Sequence, residues 1–184
     1  MKKLKYEKSQ ILSDIEISVL NEIFEEIPEN QLEQEINLRH IDKRDIDHSI
    51  LSNLNQNYWF KIKEKIEEYF SLKTYSHYFL EYNVGSSADK HLDDLKVLDK
   101  TIITLLYQSD DLDGGETIVY DDNDSPLDLN LRIGESLSYE KTLAHSVNKL
   151  RQGKRRVLVS WLREHQNYDY LAKKLKLDNI REIN

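Results

Sequence analysis

The sequence predicts an α+β protein, a double-stranded β-helix (jelly roll) of about eight core strands with N-terminal supporting helices and a short C-terminal helix. Three observations predict it. Short segments rich in Tyr, Leu, Ile and Val recur from residue 73 onward, separated by polar turns, the texture of many short strands. Two longer stretches upstream repeat apolar residues every three or four positions, as amphipathic helices do. A length of 184 residues suffices for one well-packed core and is too short for two ordinary domains. A single domain is expected over 1–184: a helical part at 1–72, the jelly-roll core at 73–163 and a helical tail at 164–184.

Ser13 and Asp14 are suited to cap a helix whose apolar side is Ile17, Leu20, Phe24 and Ile27, ending near Pro28. A second helix is expected from about Ile50 to Phe70, with Leu51, Leu54, Trp59, Ile62, Ile66 and Phe70 on its apolar side and Trp59 as a core anchor. Strands are expected at about 75–83, 90–95, 101–108, 116–120, 127–133, 136–140, 144–149 and 154–162, and a final helix over 168–180.

Composition excludes several classes of function. There is no cysteine, so disulfides, thiolate metal sites and a cysteine nucleophile are ruled out, and any metal must use His, Asp or Glu. A formal net charge of -8 argues against a general binder of phosphate backbones. No stretch reaches the roughly 20 apolar residues of a membrane-spanning helix. The start, Met1 to Lys8, has no apolar region behind it, so a cytoplasmic location is expected. The charge is uneven: Asp110 to Asp128 holds eight acids and no Lys or Arg, while Lys149 to Lys176 is basic. The acidic segment lacks the ligand spacing of an EF-hand and reads as a solvated loop. Should it border an active-site mouth, it would favour cationic substrates.

Two of the six histidines, His40 and His91, have an aspartate two residues on, and only His91 does so in strand-like sequence. Alternation along a strand turns His91 and Asp93 to one face and Asp94 to the other. A distant third ligand would complete a two-histidine, one-carboxylate facial triad, which binds non-haem Fe(II) and leaves positions open for chemistry. His145 is the preferred third member; His77, in a strand pattern, reads as a structural or rim residue, His40 and His48 as surface residues, and His165 follows the last strand.

Several pieces then stand in a familiar order: Tyr82-Asn83-Val84-Gly85, His91-Leu92-Asp93, Thr104-Leu105-Leu106-Tyr107, Gly114-Gly115-Glu116-Thr117, and His145-Ser146-Val147 continuing through Leu150, Gly153 and Arg155 to Trp161. Together they resemble the Fe(II)- and 2-oxoglutarate-dependent dioxygenases of the prolyl 4-hydroxylase type. The resemblance implies that His91, Asp93 and His145 hold Fe(II), and that Arg155, ten residues beyond His145, binds the far carboxylate of 2-oxoglutarate together with Tyr82. It further implies O2 as co-reactant, ascorbate as an accessory reductant, and hydroxylation of a C–H bond with decarboxylation of 2-oxoglutarate to succinate. The implied substrate is a prolyl residue in a peptide or protein. Other amino-acid side chains, small molecules, and a non-catalytic binding or sensing jelly roll remain as alternatives. A nucleic-acid demethylase is disfavoured, because the Arg-x-Asn-x-Thr-x-Arg run of those relatives is missing.

Alternation places Arg155 on the face of Val157, Val159 and Trp161 and Arg156 on the other; Lys154 and Arg156 are the fallbacks if the register slips. Tyr107 either lines the cosubstrate pocket or packs in the core.

Overall fold

Ser13 opens the first helix as the sequence predicts. Its hydroxyl accepts the Glu16 N–H, and the Glu16 carboxylate accepts the Ser13 N–H at 2.7 Å, a reciprocal cap on helix α1 (Asp14–Glu26). The structure, a computed structural model, describes residues 6–28, 41–93 and 98–164. Helix α1 buries Ile17, Leu20, Ile23 and Phe24. Its last carbonyls, otherwise unpaired, are taken by Arg44, which donates to Phe24 O at 2.8 Å and Ile27 O at 2.7 Å with its guanidinium over the Phe24 ring. Helix α2 (Asn53–Phe70) starts at the Ser52 cap and buries Trp59, Ile62 and Ile66, while Leu54 is exposed rather than part of its apolar side.

Among the described residues ten strands accompany these helices: β1 (Tyr6–Ser9), β2 (Ile41–Asp45), β3 (Lys73–Tyr82), β4 (Ala88–His91), β5 (Lys100–Gln108), β6 (Thr117–Tyr120), β7 (Pro126–Leu129), β8 (Ser136–Glu140), β9 (His145–Val147) and β10 (Arg155–Arg163). They form a six-stranded sheet in the order β1-β8-β5-β10-β3-β2 and a four-stranded sheet in the order β4-β9-β6-β7. All their pairings are antiparallel.

Alternation gives the large sheet two buried faces. One carries Phe79, Ile102, Leu106, Leu158 and Leu162 against α1 and α2. The other carries Tyr78, Leu80, Tyr82, Leu105, Val157 and Val159 toward the small sheet, the interior of the jelly roll. Burying side chains of Phe, Leu or Val size stabilises by about 1.5–3 kcal/mol each, so both layers contribute to the fold. His77 falls on the helix face, fully buried, with its ring edge-on to Trp59 and its Nδ1 3.2 Å from Asp47, a structural role. His48 is exposed and paired with Asp45.

The final helix expected over 168–180 lies outside the described residues, as do His40, Asp94 and His165. Among the described residues, no helix is long and apolar enough to cross a membrane.

Candidate metal centre and cosubstrate pocket

Strand pairing brings the two site histidines together. β4 and β9 match Ala88 with Val147 and His91 with His145, so three steps on β4 span two on β9. The extra residue is a bulge, and it turns His91 onto the interior face beside His145, the two rings 4.2 Å apart. The ladder stops there because β9 begins at His145. Asp93 therefore lies beyond the strand, whereas the sequence predicted a strand running to residue 95. It still reaches the histidines, with Oδ1 3.9 Å from His91 Nε2 and Oδ2 3.9 Å from His145 Nε2. One ligand atom from each of the three lies within 4.8 Å of the others, close enough to hold a single ion.

The protonation of the rings suits that use. His91 Nδ1 is 2.7 Å from Asp89 O and His145 Nδ1 is 3.2 Å from Leu143 O. A carbonyl only accepts, so each Nδ1 is the donor, and in the neutral ring it is Nε2 that keeps the lone pair. Burial lowers the His145 pKa and so favours the neutral ring, with the negative charge of Asp93 partly offsetting the fall.

Two residues that sequence reasoning passed over hold the carboxylate. Thr101 Oγ1 donates to Asp93 Oδ2 at 2.7 Å, and the Tyr139 hydroxyl lies 3.2 Å from the same oxygen and 3.1 Å from His145 Nε2. Burial, reinforced by the negative charge of Asp93, pushes the Tyr139 pKa well above its ordinary value, so it stays a donor. The available signal was the alternation Ser136-Leu137-Ser138-Tyr139, which turns Tyr139 inward with Leu137.

Arg155 occupies the interior face as predicted and is buried. Its guanidinium donates to Gly115 O and to Thr117 Oγ1, the latter at 2.9 Å, and sits 5.8 Å from the ring of Tyr82, its partner in the β3–β10 register. No carboxylate among the described residues pairs with it, and burial lowers its pKa. Burial likewise raises the Tyr82 pKa, with Arg155 partly offsetting the rise. Gly114 packs against the Lys149–Leu150 backbone, where a Cβ would clash with Lys149 O, and its φ of +83° is strained for any other residue, which fixes the turn that carries Gly115. Arg156 faces the helices, bonded to Glu81 and Glu25, and Lys154 pairs with Glu81; neither fallback is in the interior.

Tyr107 meets neither expectation. A bulge between its pair with Arg156 and the next pair, Val157 with Leu105, turns it to the helix side, where it is 40% exposed. The acidic segment divides. Asp111 and Asp113 bond Gln152 and Arg151 near the start of β10, whereas Asp124 pairs with Lys90 beside the metal end.

A cavity of about 420 Å³, within the range of small-ligand sites, opens on this centre. Its wall joins His91, Asp93, His145, Tyr139 and Tyr82 to aliphatic Leu80, Ile103, Val147 and Val159, with Lys43, Tyr78 and Trp161 also lining it.

The fold around this site matches those of solved structures. The chain covers 89% of itself and 86% of an oxidoreductase of the 2-oxoglutarate-Fe(II) oxygenase family from Burkholderia pseudomallei, at a TM-score of 0.70 and 15% identity. It matches a prolyl hydroxylase from Trichoplax adhaerens, solved with a hypoxia inducible factor oxygen degradation domain peptide, over 86% of itself and 84% of that chain, at 0.65 and 13%. The fold is therefore that of the 2-oxoglutarate-Fe(II) oxygenases. Within that class the resemblance to the prolyl hydroxylase type is borne out: a PKHD-type hydroxylase of Colwellia psychrerythraea is 27% identical over 94 residues. That stretch is 46% of this chain and spans only 41% of the relative's length. No family model matches the chain.

Proposed function

We propose that the protein is an Fe(II)- and 2-oxoglutarate-dependent dioxygenase that hydroxylates a C–H bond, of a prolyl residue in a peptide or protein. One observation carries the reading: two imidazole rings and one carboxylate converge on a cavity lined by Tyr82, and 5.8 Å from that ring lies the buried guanidinium of Arg155, which has no carboxylate partner among the described residues. His91, Asp93 and His145 would hold the metal, and their donor set of two nitrogens and one oxygen suits Fe(II). Arg155 and Tyr82 would hold the far carboxylate of 2-oxoglutarate. The charges balance, since Fe(II) with Asp93 leaves one positive charge, Arg155 adds another, and the 2-oxo acid brings two negative ones.

When bound, iron and 2-oxoglutarate supply the reduction of O2, coupled to decarboxylation of the oxo acid to succinate and hydroxylation of substrate. The chain's own residues prepare the site. Thr101 and Tyr139 bond Asp93 Oδ2 and leave Oδ1 with open lone pairs. Tyr139 has one proton for two acceptors, so an ion at His145 Nε2 would commit that proton to Asp93. The backbone carbonyls of Asp89 and Leu143 fix the ring orientations. Leu80, Ile103, Val147 and Val159 keep water from the reacting centre.

A peptide substrate is supported by the peptide bound to the Trichoplax relative. The test is succinate release with Fe(II), 2-oxoglutarate and a proline-centred peptide library, with hydroxylation read by mass spectrometry. A gain of one oxygen on proline is expected. Oxidation of another side chain or a small molecule would retain the oxygenase reading alone, and loss of all succinate formation would leave a binding module.

A further inference from the structure

Lys43 stands on edge strand β2, which joins the large sheet through its register with β3, Lys43 opposite Leu80. It is partly buried, lines the cavity of the metal centre, and holds its Nζ 4.5 Å from the centroid of the Tyr78 ring. Among the described residues it makes no ion pair, in a chain whose net charge is -8. The other lysine of the wall, Lys90, is paired with Asp124. On the same Tyr78 ring, 5.3 Å away and edge to face, sits Trp161, whose indole Nε1–H is buried and finds no acceptor among the described residues. An orphan N–H costs free energy until something accepts its proton, and an ammonium at a cavity wall draws an anion.

We infer that Lys43 and Trp161 form a carboxylate-recognition subsite for the substrate, so the group oxidised at the metal centre is carried by a molecule with a negative charge close to the reacting carbon. This rests on the oxygenase reading above. Tyr78 is the spacer that carries the Lys43 ammonium on its ring and the Trp161 indole beside it, and Arg155, with its own pair of bonds deep in the interior, is the separate anchor for the cosubstrate. The carboxylate can belong to an acidic side chain beside the target residue or to the small molecule that is itself oxidised. A cationic substrate would meet the Lys43 ammonium and have no use for an indole donor.

The test is calorimetric binding to the full chain, with and without Fe(II) and 2-oxoglutarate under nitrogen. The probes are capped proline tripeptides flanked by glutamate, glutamine or lysine, and N-acetylproline against N-acetylprolinamide. The glutamate peptide should bind about tenfold tighter than the glutamine peptide, the worth of one charge-assisted hydrogen bond. Preference for N-acetylproline over its amide with no preference among the peptides would assign the subsite to a small acid. Lys43→Met should erase the preference, Lys43→Glu should transfer it to the lysine peptide, and Trp161→Phe should weaken it with the ring kept. Equal binding of all probes, or a wild-type preference for lysine, would overturn the inference. So would a loss of 2-oxoglutarate affinity in Lys43→Met, which would return the lysine to the cosubstrate. Failure of 2-oxoglutarate to bind the wild type strikes the oxygenase reading instead, since the probe preference is also read without it.

Discussion

Single side chains decide whether this cavity can work as an oxygenase site. Tyr139 donates to the one carboxylate of the triad, and outer partners of metal ligands tune affinity. Tyr139→Phe keeps the ring and removes that bond; iron affinity should fall on the order of tenfold, measured against a chromophoric chelator, with little change in thermal midpoint. Unchanged affinity would mean the hydroxyl is a spectator. Arg155→Met should raise the KM for 2-oxoglutarate on the order of 100-fold, because a buried charged partner contributes about 2–3 kcal/mol. The same variant should not lower the thermal midpoint without ligand, since it removes a buried cation that lacks an ion-pair partner. That His91, Asp93 and His145 stand together was legible from the His-x-Asp pair and the motif order, and that Arg155 faces the interior was legible from strand alternation; their roles, and that of Tyr82, come from the resemblance and belong to the proposal. Tyr139 and Thr101 were not legible, because their partner Asp93 lies 46 and 8 residues away across a sheet pairing that spacing alone does not reveal.

At the scale of elements, the strands with an apolar interior face were readable from alternation, and both helices from their periodicity. Strands β1 and β2 were missed for a physical reason: Tyr6–Ser9 and Ile41–Asp45 are edges rich in charge, and an edge needs few buried positions. Lys43 was missed with its strand. The bulge that turns Tyr107 outward was also invisible, since one inserted residue leaves no mark on composition. The loop after β2 is tied to β3 through Asp47, whose carboxylate accepts the His77 N–H at 2.7 Å. Burial would raise the Asp47 pKa, but its bonds to His77 and the charge of Lys63 outweigh it and bring it to about 2. Burial lowers His77 despite Asp47. Both folded values lie below the unfolded ones, so the unfolded chain binds more protons on acidification. Stability should be full above about pH 6.5, the free histidine value, and fall as pH drops through the histidine and then the carboxylate range. Asp47→Asn should remove the lower part, on the order of 1 kcal/mol after allowance for partial exposure, as read from urea midpoints at pH 7, 5 and 3.5. Midpoints independent of pH would contradict this pairing.

For the molecule as a whole, the fold was legible because one chain of this length must bury its strands on both sides of a large sheet, with two helices covering one face. The interior thus has an unpaired buried cation at one place and a cluster of metal-binding atoms at another, each unfavourable until a ligand arrives. Iron and 2-oxoglutarate should therefore each raise the thermal midpoint, by about 2.7 kcal/mol of added stability per ligand at 100 times its dissociation constant, and a chelator should reverse it. The most direct measurement of the central claim is anaerobic titration of the protein with Fe(II) and then 2-oxoglutarate, following the visible metal-to-ligand charge-transfer absorption. The wild type should show the band at one iron per chain, and His145→Ala and Asp93→Ala should lose it. No band in the wild type, or an undiminished one in those variants, would contradict a metal centre built from His91, Asp93 and His145.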